Sequence, residues 1–419
     1  MLGRGGMRED CMERGIVLRR RTSHRVRSGL TAIFGTLGLA LFSSLLVLTS
    51  PVFAAEFSLK RDDQIRSAQI ARVLPAVVGI LTEVRGTVKL RCGTGAVQTV
   101  EATPDRESGT GFLIHPDGWI ATNGHVVLPV QKPEAEYATE FLEQVVKDTC
   151  GPTLQKLPAN QRDARLKAIR TDPANRRGVT VTKRLEVFLP TGDPKDYYPA
   201  VVKASSPPID PDLLPKGGGR PDPPMLDAAL IKIEGANLPT VKLAQSIRTA
   251  VALGQQIFIA GYPGVVLWHP FLSQKARMDP SVTFGRVSAF RLDVNEREII
   301  QTDAPISWGN SGGPAFDMAG EVIGLATFIS TSLEGDESIQ GFNFLIPIDT
   351  IQAMAEQLGL TPSTDSAFTR AWDQTVAAFI AGNYQEAITH AEAADQIVPG
   401  LSEVRRGIAR MRALIGARP

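Results

Sequence analysis

Two long stretches of this chain alternate apolar and polar residues, and the spacing between and after them turns helical. Strand-like alternation opens at Pro75–Ile80, resumes at Gly111-Phe112-Leu113-Ile114, and returns at Leu185–Leu189 and Ala200–Lys203. Successive side chains of a strand point to opposite faces, so this pattern predicts half-buried strands. A second set follows at Gln256–Pro263, Val282–Phe290, Ala315–Ser330 and Gly341–Pro347, with a turn at Asp317–Gly320. Many short strands separated by turn residues predict a mainly β fold. Helical spacing marks 61–73 as a lead-in and Asp349–Leu358 as a closing helix. Within 131–180, Tyr137, Phe141 and Val145, then Leu166 and Ile169, sit at helical intervals among many charges. That predicts a helical insertion, in the form of a hairpin. Residues 85–110, rich in Gly, Thr and Ser, read as an irregular excursion, and 207–224 as a Pro/Gly-rich loop.

The ends of the chain differ from its middle. Arg19-Arg20-Arg21, Arg25 and Arg27 precede an apolar run from Leu30 to Leu48, and Val52-Phe53-Ala54 supplies small residues at a cleavage position. Residues 1–54 are therefore expected to be a signal peptide, with an uncleaved signal anchor as the alternative. Either places the remainder outside the cytoplasm, periplasmic or secreted, and at a membrane only if the leader is retained. Residues 55–72 form the lead-in, 359–366 a linker containing Pro362, and 367–417 an Ala-rich helical segment. Net charge is +1 over 419 residues, but 1–54 hold 8 Arg and 3 acidic residues, leaving 37 basic against 41 acidic. A net of −4 in that remainder gives no electrostatic case for nucleic acid. Cys92 and Cys150 follow Cys11 of the leader. Both lie in insertions whose proximity sequence does not show, and the expectation is two separate thiols rather than a bridge.

Candidate chemistry sits at three strand–loop boundaries. Gly309-Asn310-Ser311-Gly312-Gly313-Pro314 presents a hydroxyl on a glycine turn, where backbone N–H groups can approach a substrate oxygen. Thr122-Asn123-Gly124-His125 carries an imidazole, and Asp227 opens the apolar run Ala228–Ile233. A serine hydroxyl needs a base near neutral pKa, and that base needs a carboxylate to fix its tautomer. The nucleophile elbow of α/β-hydrolases shares the G-x-S-x-G pattern but requires a helix after the serine and a later histidine. Here Pro314 and strand-like sequence follow, and the one later histidine, His390, lies on a helical segment. The order His, Asp, Ser instead matches two antiparallel β-barrels. His24, His115 and His269 fall in the leader, an HPDG turn and a Trp268-His269-Pro270 loop; none has metal-ligand spacing, so neither metal nor cofactor is expected.

SGTGFLIHPDGWIATNGHVV, DAALIKI, QTDAPISWGNSGGPAF and GEVIGLAT together resemble the HtrA/Deg branch of trypsin-like serine proteases, over roughly residues 70–358. The resemblance implies two six-stranded antiparallel Greek-key barrels across 73–358, interrupted by the helical insertion and followed by a small α-helical domain. It implies His125 as general base, Asp227 as its orienting carboxylate and Ser311 as nucleophile. Backbone amides of Gly309 and Ser311 would form the oxyanion hole. Polypeptides would be the substrates, cleaved through an acyl-enzyme.

Departures from the family qualify that picture. Pro305 stands six positions before Ser311, where trypsin has a lysine-selecting aspartate. With Phe342, Phe344 and Leu345 in the strand expected beside the pocket, cleavage after apolar residues is anticipated, and Asp303 is expected to be structural. Asn310 replaces the aspartate that pairs with a new N-terminus in secreted trypsins. Trp308 occupies a position where the family usually has proline, and its ring is expected to alter the oxyanion loop or narrow the pocket. Where HtrA enzymes commonly carry PDZ domains, 367–417 instead resembles one tetratricopeptide repeat with a capping helix. Two readings of it stand: a helical appendage packed on the protease or another subunit, and a site for a protein partner or self-association. The alternative to a protease is a catalytically weak barrel protein acting as a binding or chaperone-like module.

Overall fold

A computed structural model describes residues 61–416, except 94, 194, 210–219, 294 and 332–337. The leader and part of the Pro/Gly-rich loop therefore lie outside the described residues. Among the described residues, fourteen strands form two sheets. The first holds β1 (Val77–Leu90), β2 (Gln98–Glu101), β3 (Asp105–His115), β4 (Trp119–Thr122), β5 (Val179–Phe188), β6 (Tyr197–Ser205) and β7 (Ala229–Ile233). Its order is β2-β1-β3-β4-β7-β6-β5, and pairing of β1 with β5 closes it. Six strands make the barrel, and β2 is a hairpin partner on the far end of β1.

The second sheet holds β8 (Lys242–Leu243), β9 (Gln256–Gly261), β10 (Ser281–Leu292), β11 (Glu298–Thr302), β12 (Pro314–Asp317), β13 (Glu321–Thr331) and β14 (Ser338–Pro347). Here β12 pairs with both β9 and β13, so β9, β10, β11, β14, β13 and β12 close into another six-stranded barrel. Short β8 lies parallel to β13 outside it. Within each barrel the strands follow one circuit, in which the first three are sequential neighbours and the fourth returns beside the first. That is Greek-key connectivity, and its duplication makes the halves topological copies. Closure leaves no sheet edge open to a wrong partner, apart from the short accessory strands.

Alternation accounts for the strands. Ile231 and Ile120 in the first barrel, and Ile257, Phe258, Phe316 and Leu345 in the second, are buried in one apolar cluster spanning both barrels. The structure differs from the sequence reading at residues 85–90. They continue β1 rather than beginning an irregular excursion, and 98–101 and 105–110 are strand as well. Val84, Val88 and Leu90 keep the alternation, but they bury against Tyr137, Phe141 and Val145 of the insertion in a separate small core. A strand whose partner is a distant insertion gives no complete local signal.

That insertion comprises helices Glu134–Val145, Ala159–Thr171 and Pro173–Arg177, with a wider turn at Val146–Cys150. It ends before β5 begins at Val179. Cys150 is buried in the small core and is bonded to Cys92, with Cα atoms 5.6 Å apart. The expectation of separate thiols is thus corrected: the insertion folds back onto the β1–β2 hairpin, 58 residues away. Helices Ala367–Ala381, Tyr384–Ile397 and Ser402–Gly416 make up the C-terminal segment. It packs on the protease-like body, where Arg72 pairs with Asp373 at 2.6 Å and Trp372 Nε1 donates to Ala71 O. Among the described residues no helix is long and apolar enough to cross a membrane.

Peptide mapping without reductant should recover a fragment joining Cys92 to Cys150. Replacing both by serine should lower unfolding stability by about 2–4 kcal/mol, read as earlier loss of structure in 134–171. Recovery of both cysteines as free thiols would refute the bridge.

Candidate active site

Helix Gly124–Gln131 begins immediately after β4, so the end of that strand sets the position of His125. Asp227 lies two residues before β7, which pairs with β4 in register Thr122↔Ala229. Two neighbouring strands therefore deliver the imidazole and the carboxylate to one end of the first barrel. His125 Nδ1 lies 3.0 Å from both Asp227 carboxylate oxygens, and the His125 amide donates to Oδ1 at 2.9 Å. From the second barrel, the Thr327 hydroxyl donates to Oδ2 at 2.5 Å. The carboxylate side chain is only 4% exposed. Asp227 has φ +46°, a left-handed value that costs most residues energy but suits aspartate better. Its own amide donates to Pro207 O at 3.0 Å, and Asn123 Nδ2 donates to its carbonyl at 2.8 Å.

Ser311 sits between β11 and β12, on the turn just before Pro314. Its carbonyl accepts from the Thr110 amide at 2.8 Å, which ties the turn to β3 of the other barrel. Gly312, at φ +81°, comes so near Thr122 and Asn123 that a Cβ there would meet Thr122 Oγ1 at 2.2 Å. The serine turn and the histidine loop are thus in direct van der Waals contact. Among the described residues no hydrogen bond joins the Ser311 hydroxyl to the His125 ring.

Every carbonyl from 308 to 311 is tied down. Trp308 O accepts from Gly264 N at 2.7 Å, Asn310 O from Gly313 N at 2.8 Å, and Ser311 O from Thr110 N. Gly309 O accepts from Thr110 Oγ1 at 2.7 Å. The amides of Asn310, Gly312 and Gly313 also have acceptors, in Ser307, Ala326 and Asn310. Those of Gly309 and Ser311 have none among the described residues. A trans peptide points its N–H opposite the preceding C=O, so fixing Trp308 O and Asn310 O also aims these two amides. Gly309 has φ +93°, and a Cβ there would lie 2.4 Å from Tyr262 O, so glycine is required.

Of the residues expected from sequence, His125 and Asp227 are hydrogen-bonded, and Ser311 and Gly309 share the adjoining turn. The Trp308 side chain is 67% exposed, so its ring points out while its carbonyl anchors the turn. Asn310 is buried, and its Oδ1 accepts no hydrogen bond among the described residues. The Asp303 carboxylate accepts from the Arg286 amide at 2.5 Å. Thr110, Thr122 and Thr327 lie within the family-like segments but were given no role from sequence, and Gly264 was not singled out. The inward phase of β13 is the one signal that could have found Thr327.

Two closed six-stranded antiparallel barrels make this a trypsin-like peptidase fold. The trypsin-like peptidase domain family matches residues 109–325, and the chain belongs to that family. A DegP-like periplasmic serine endoprotease of Pseudomonas fluorescens is 39% identical over 152 residues, covering 36% of this chain and 28% of the relative. HhoB, a serine protease of Synechocystis sp., is 37% identical over 141 residues, 32% of this chain and 29% of its own length. The chain therefore matches less than a third of either relative's length. The HtrA-type protease AlgW with decapeptide aligns at 21% identity and a TM-score of 0.40, over 70% of this chain and 68% of that one.

Burial opposes a charged His125 ring, but the charge and hydrogen bond of Asp227, with the charge of Glu107, outweigh it and hold the imidazole above its usual pKa. An NMR titration of the His125 ring should give a midpoint above about 6.5. Glu107→Gln should lower that midpoint, and Asp227→Asn should lower it further. A midpoint at or below the ordinary value would contradict the geometry.

Proposed function

We propose that this protein is an extracytoplasmic serine endopeptidase that hydrolyses peptide bonds of unfolded or partner proteins through an acyl-enzyme. The observation that carries the reading is the pair of unengaged amides at Gly309 and Ser311, beside a hydrogen-bonded His125–Asp227 pair. Donors held rigidly where negative charge develops stabilise a transition state without reorganising at the moment of reaction.

In this mechanism the Ser311 hydroxyl attacks the scissile carbonyl while His125 Nε2 takes its proton. Nδ1 is occupied by Asp227, which leaves Nε2 as the free basic position and stabilises the imidazolium that forms. The carbonyl oxygen becomes an oxyanion between the amides of Gly309 and Ser311. As the tetrahedral adduct collapses, His125 returns the proton to the departing amine. Water repeats the sequence on the acyl-enzyme and regenerates Ser311. A resting enzyme need not show the serine–histidine hydrogen bond, because such bonds often tighten only when substrate binds.

Location rests on the arginine-flanked apolar leader, the disulfide and the periplasmic relatives. Disulfides persist in oxidising compartments. The second reading is a barrel protein that binds polypeptides but cleaves little. A fluorophosphonate separates the two: it should label the wild-type protein, and Ser311→Ala should abolish labelling. Asp227→Asn should slow labelling by about 10³–10⁴-fold. Wild-type protein that neither labels nor degrades unfolded casein would favour the binding reading.

For specificity, Pro305 replaces a selecting carboxylate, and the neighbouring Ile306 and Leu345 are buried and apolar. A peptide-library digest should be dominated by cleavage after apolar residues. A profile dominated by Lys or Arg would overturn this assignment while leaving the peptidase reading intact.

A further inference from the structure

We propose that Thr110 is a positioning residue that holds the Ser311 turn of the second barrel in register with the His125 loop of the first. It lies on β3 and is fully buried, with its hydroxyl and amide engaged across the barrel junction and its carbonyl engaged toward the His125 loop. Its hydroxyl donates to Gly309 O at 2.7 Å and accepts from the Tyr262 amide at 2.9 Å. Its amide donates to Ser311 O at 2.8 Å. Its carbonyl accepts from the Thr122 hydroxyl at 2.7 Å, three residues before His125.

Geometry assigns these contacts a division of labour. The peptide planes carrying the amides of Gly309 and Ser311 are fixed through Trp308 O and Asn310 O, by Gly264 and Gly313. Between and after them lie the planes containing Gly309 O and Ser311 O, and Thr110 fixes both. With those planes held, the turn cannot rotate about its φ and ψ angles without breaking a buried hydrogen bond. Tyr262 extends the same brace. Its amide is bound to Thr110, and its hydroxyl donates to Val77 O on β1 at 3.3 Å. One hydroxyl thus serves Tyr262, just beyond β9 of the second barrel, and the nucleophile turn together. A valine would leave a buried N–H and a buried C=O without partners, which is the costly form of hydrogen-bond loss. Thr110 touches no reacting atom, so it acts through the placement of Ser311 and Gly309.

The kinetic consequence rests on the peptidase reading; the structural consequence does not. The test compares full-length Thr110→Val, Thr110→Ala and Thr110→Ser with wild type by fluorophosphonate labelling rate, peptide kcat and KM, and hydrogen–deuterium exchange. Val and Ala variants should label about 10- to 100-fold more slowly, the scale of a misplaced reacting group, yet reach the same final stoichiometry. Their kcat should fall with KM nearly unchanged. Exchange should quicken in peptides covering 258–264 and 305–316, while the Ser variant, which restores the hydroxyl, stays near wild type in every measure. If Val fails to fold, the Ala and Ser pair still isolates the hydroxyl. Wild-type exchange in both segments of the Ala variant would overturn the proposal, as would Ser and Ala variants that lose activity equally. Should wild-type Ser311 take no label, the peptidase reading falls, and the exchange comparison alone decides the role of Thr110.

Discussion

One buried carboxylate constrains this molecule more than any other group. Asp227 is almost wholly withdrawn from water, and a carboxylate so placed is costly unless its oxygens are hydrogen-bonded. Its donors come from both barrels: the amide and ring of His125 from the first, the hydroxyl of Thr327 from the second. Neither barrel alone can satisfy it. The His–Asp pair is built within the first barrel, and docking of the second adds the Thr327 hydroxyl that completes the shell of the carboxylate. The left-handed backbone at Asp227 belongs to the same solution, because it turns the carboxylate toward His125 while amide and carbonyl stay paired with Pro207 and Asn123.

The serine side of the junction obeys a complementary rule. The carboxylate oxygens, amide and carbonyl of Asp227 all have partners, whereas beside Ser311 two amides are without acceptors among the described residues. Backbone N–H groups buried without acceptors are rare in folded proteins, so a turn that ties four successive carbonyls and leaves two specific amides unengaged fits the proposed oxyanion hole. Trp308 shows how the departure from the usual sequence is accommodated. Its ring lies in solvent, and the structural work is done by its carbonyl, which any residue could supply.

Much of this was legible beforehand, because glycine turns and strand-end polar residues are local signals. His125, Asp227, Ser311 and Gly309 stand out against apolar strands, and the alternation marks both barrels. The residues that brace them do not stand out. Thr110 and Thr327 are threonines in strands, where threonine is favoured for its branching alone, and their roles depend on which strand lies opposite. The Cys92–Cys150 bond was misjudged for the same reason. Its 58-residue separation is spanned because the insertion helices pack Tyr137 and Phe141 against Val84 and Val88 of β1. Sequence shows which residues can react sooner than it shows which residues meet.

The C-terminal helices extend this logic to the scale of the whole body. Ser402 donates its amide to Pro190 O, just beyond β5 of the first barrel, and Arg406 pairs with Asp279, just before β10 of the second. The segment leading into the helices is held as well, with the Ser363 amide on Ile114 O and the Ser366 hydroxyl on Asn237 O. Phe368, Ala387, Ala391 and Leu401 are buried in the same apolar cluster that fills both barrels. A lone helical repeat is too small to hold itself together, and here it borrows the barrels' core. In return it spans their junction from outside, where Thr110 and Asp227 fasten it from within. Loosening of the helices should therefore reach the candidate site through barrel orientation.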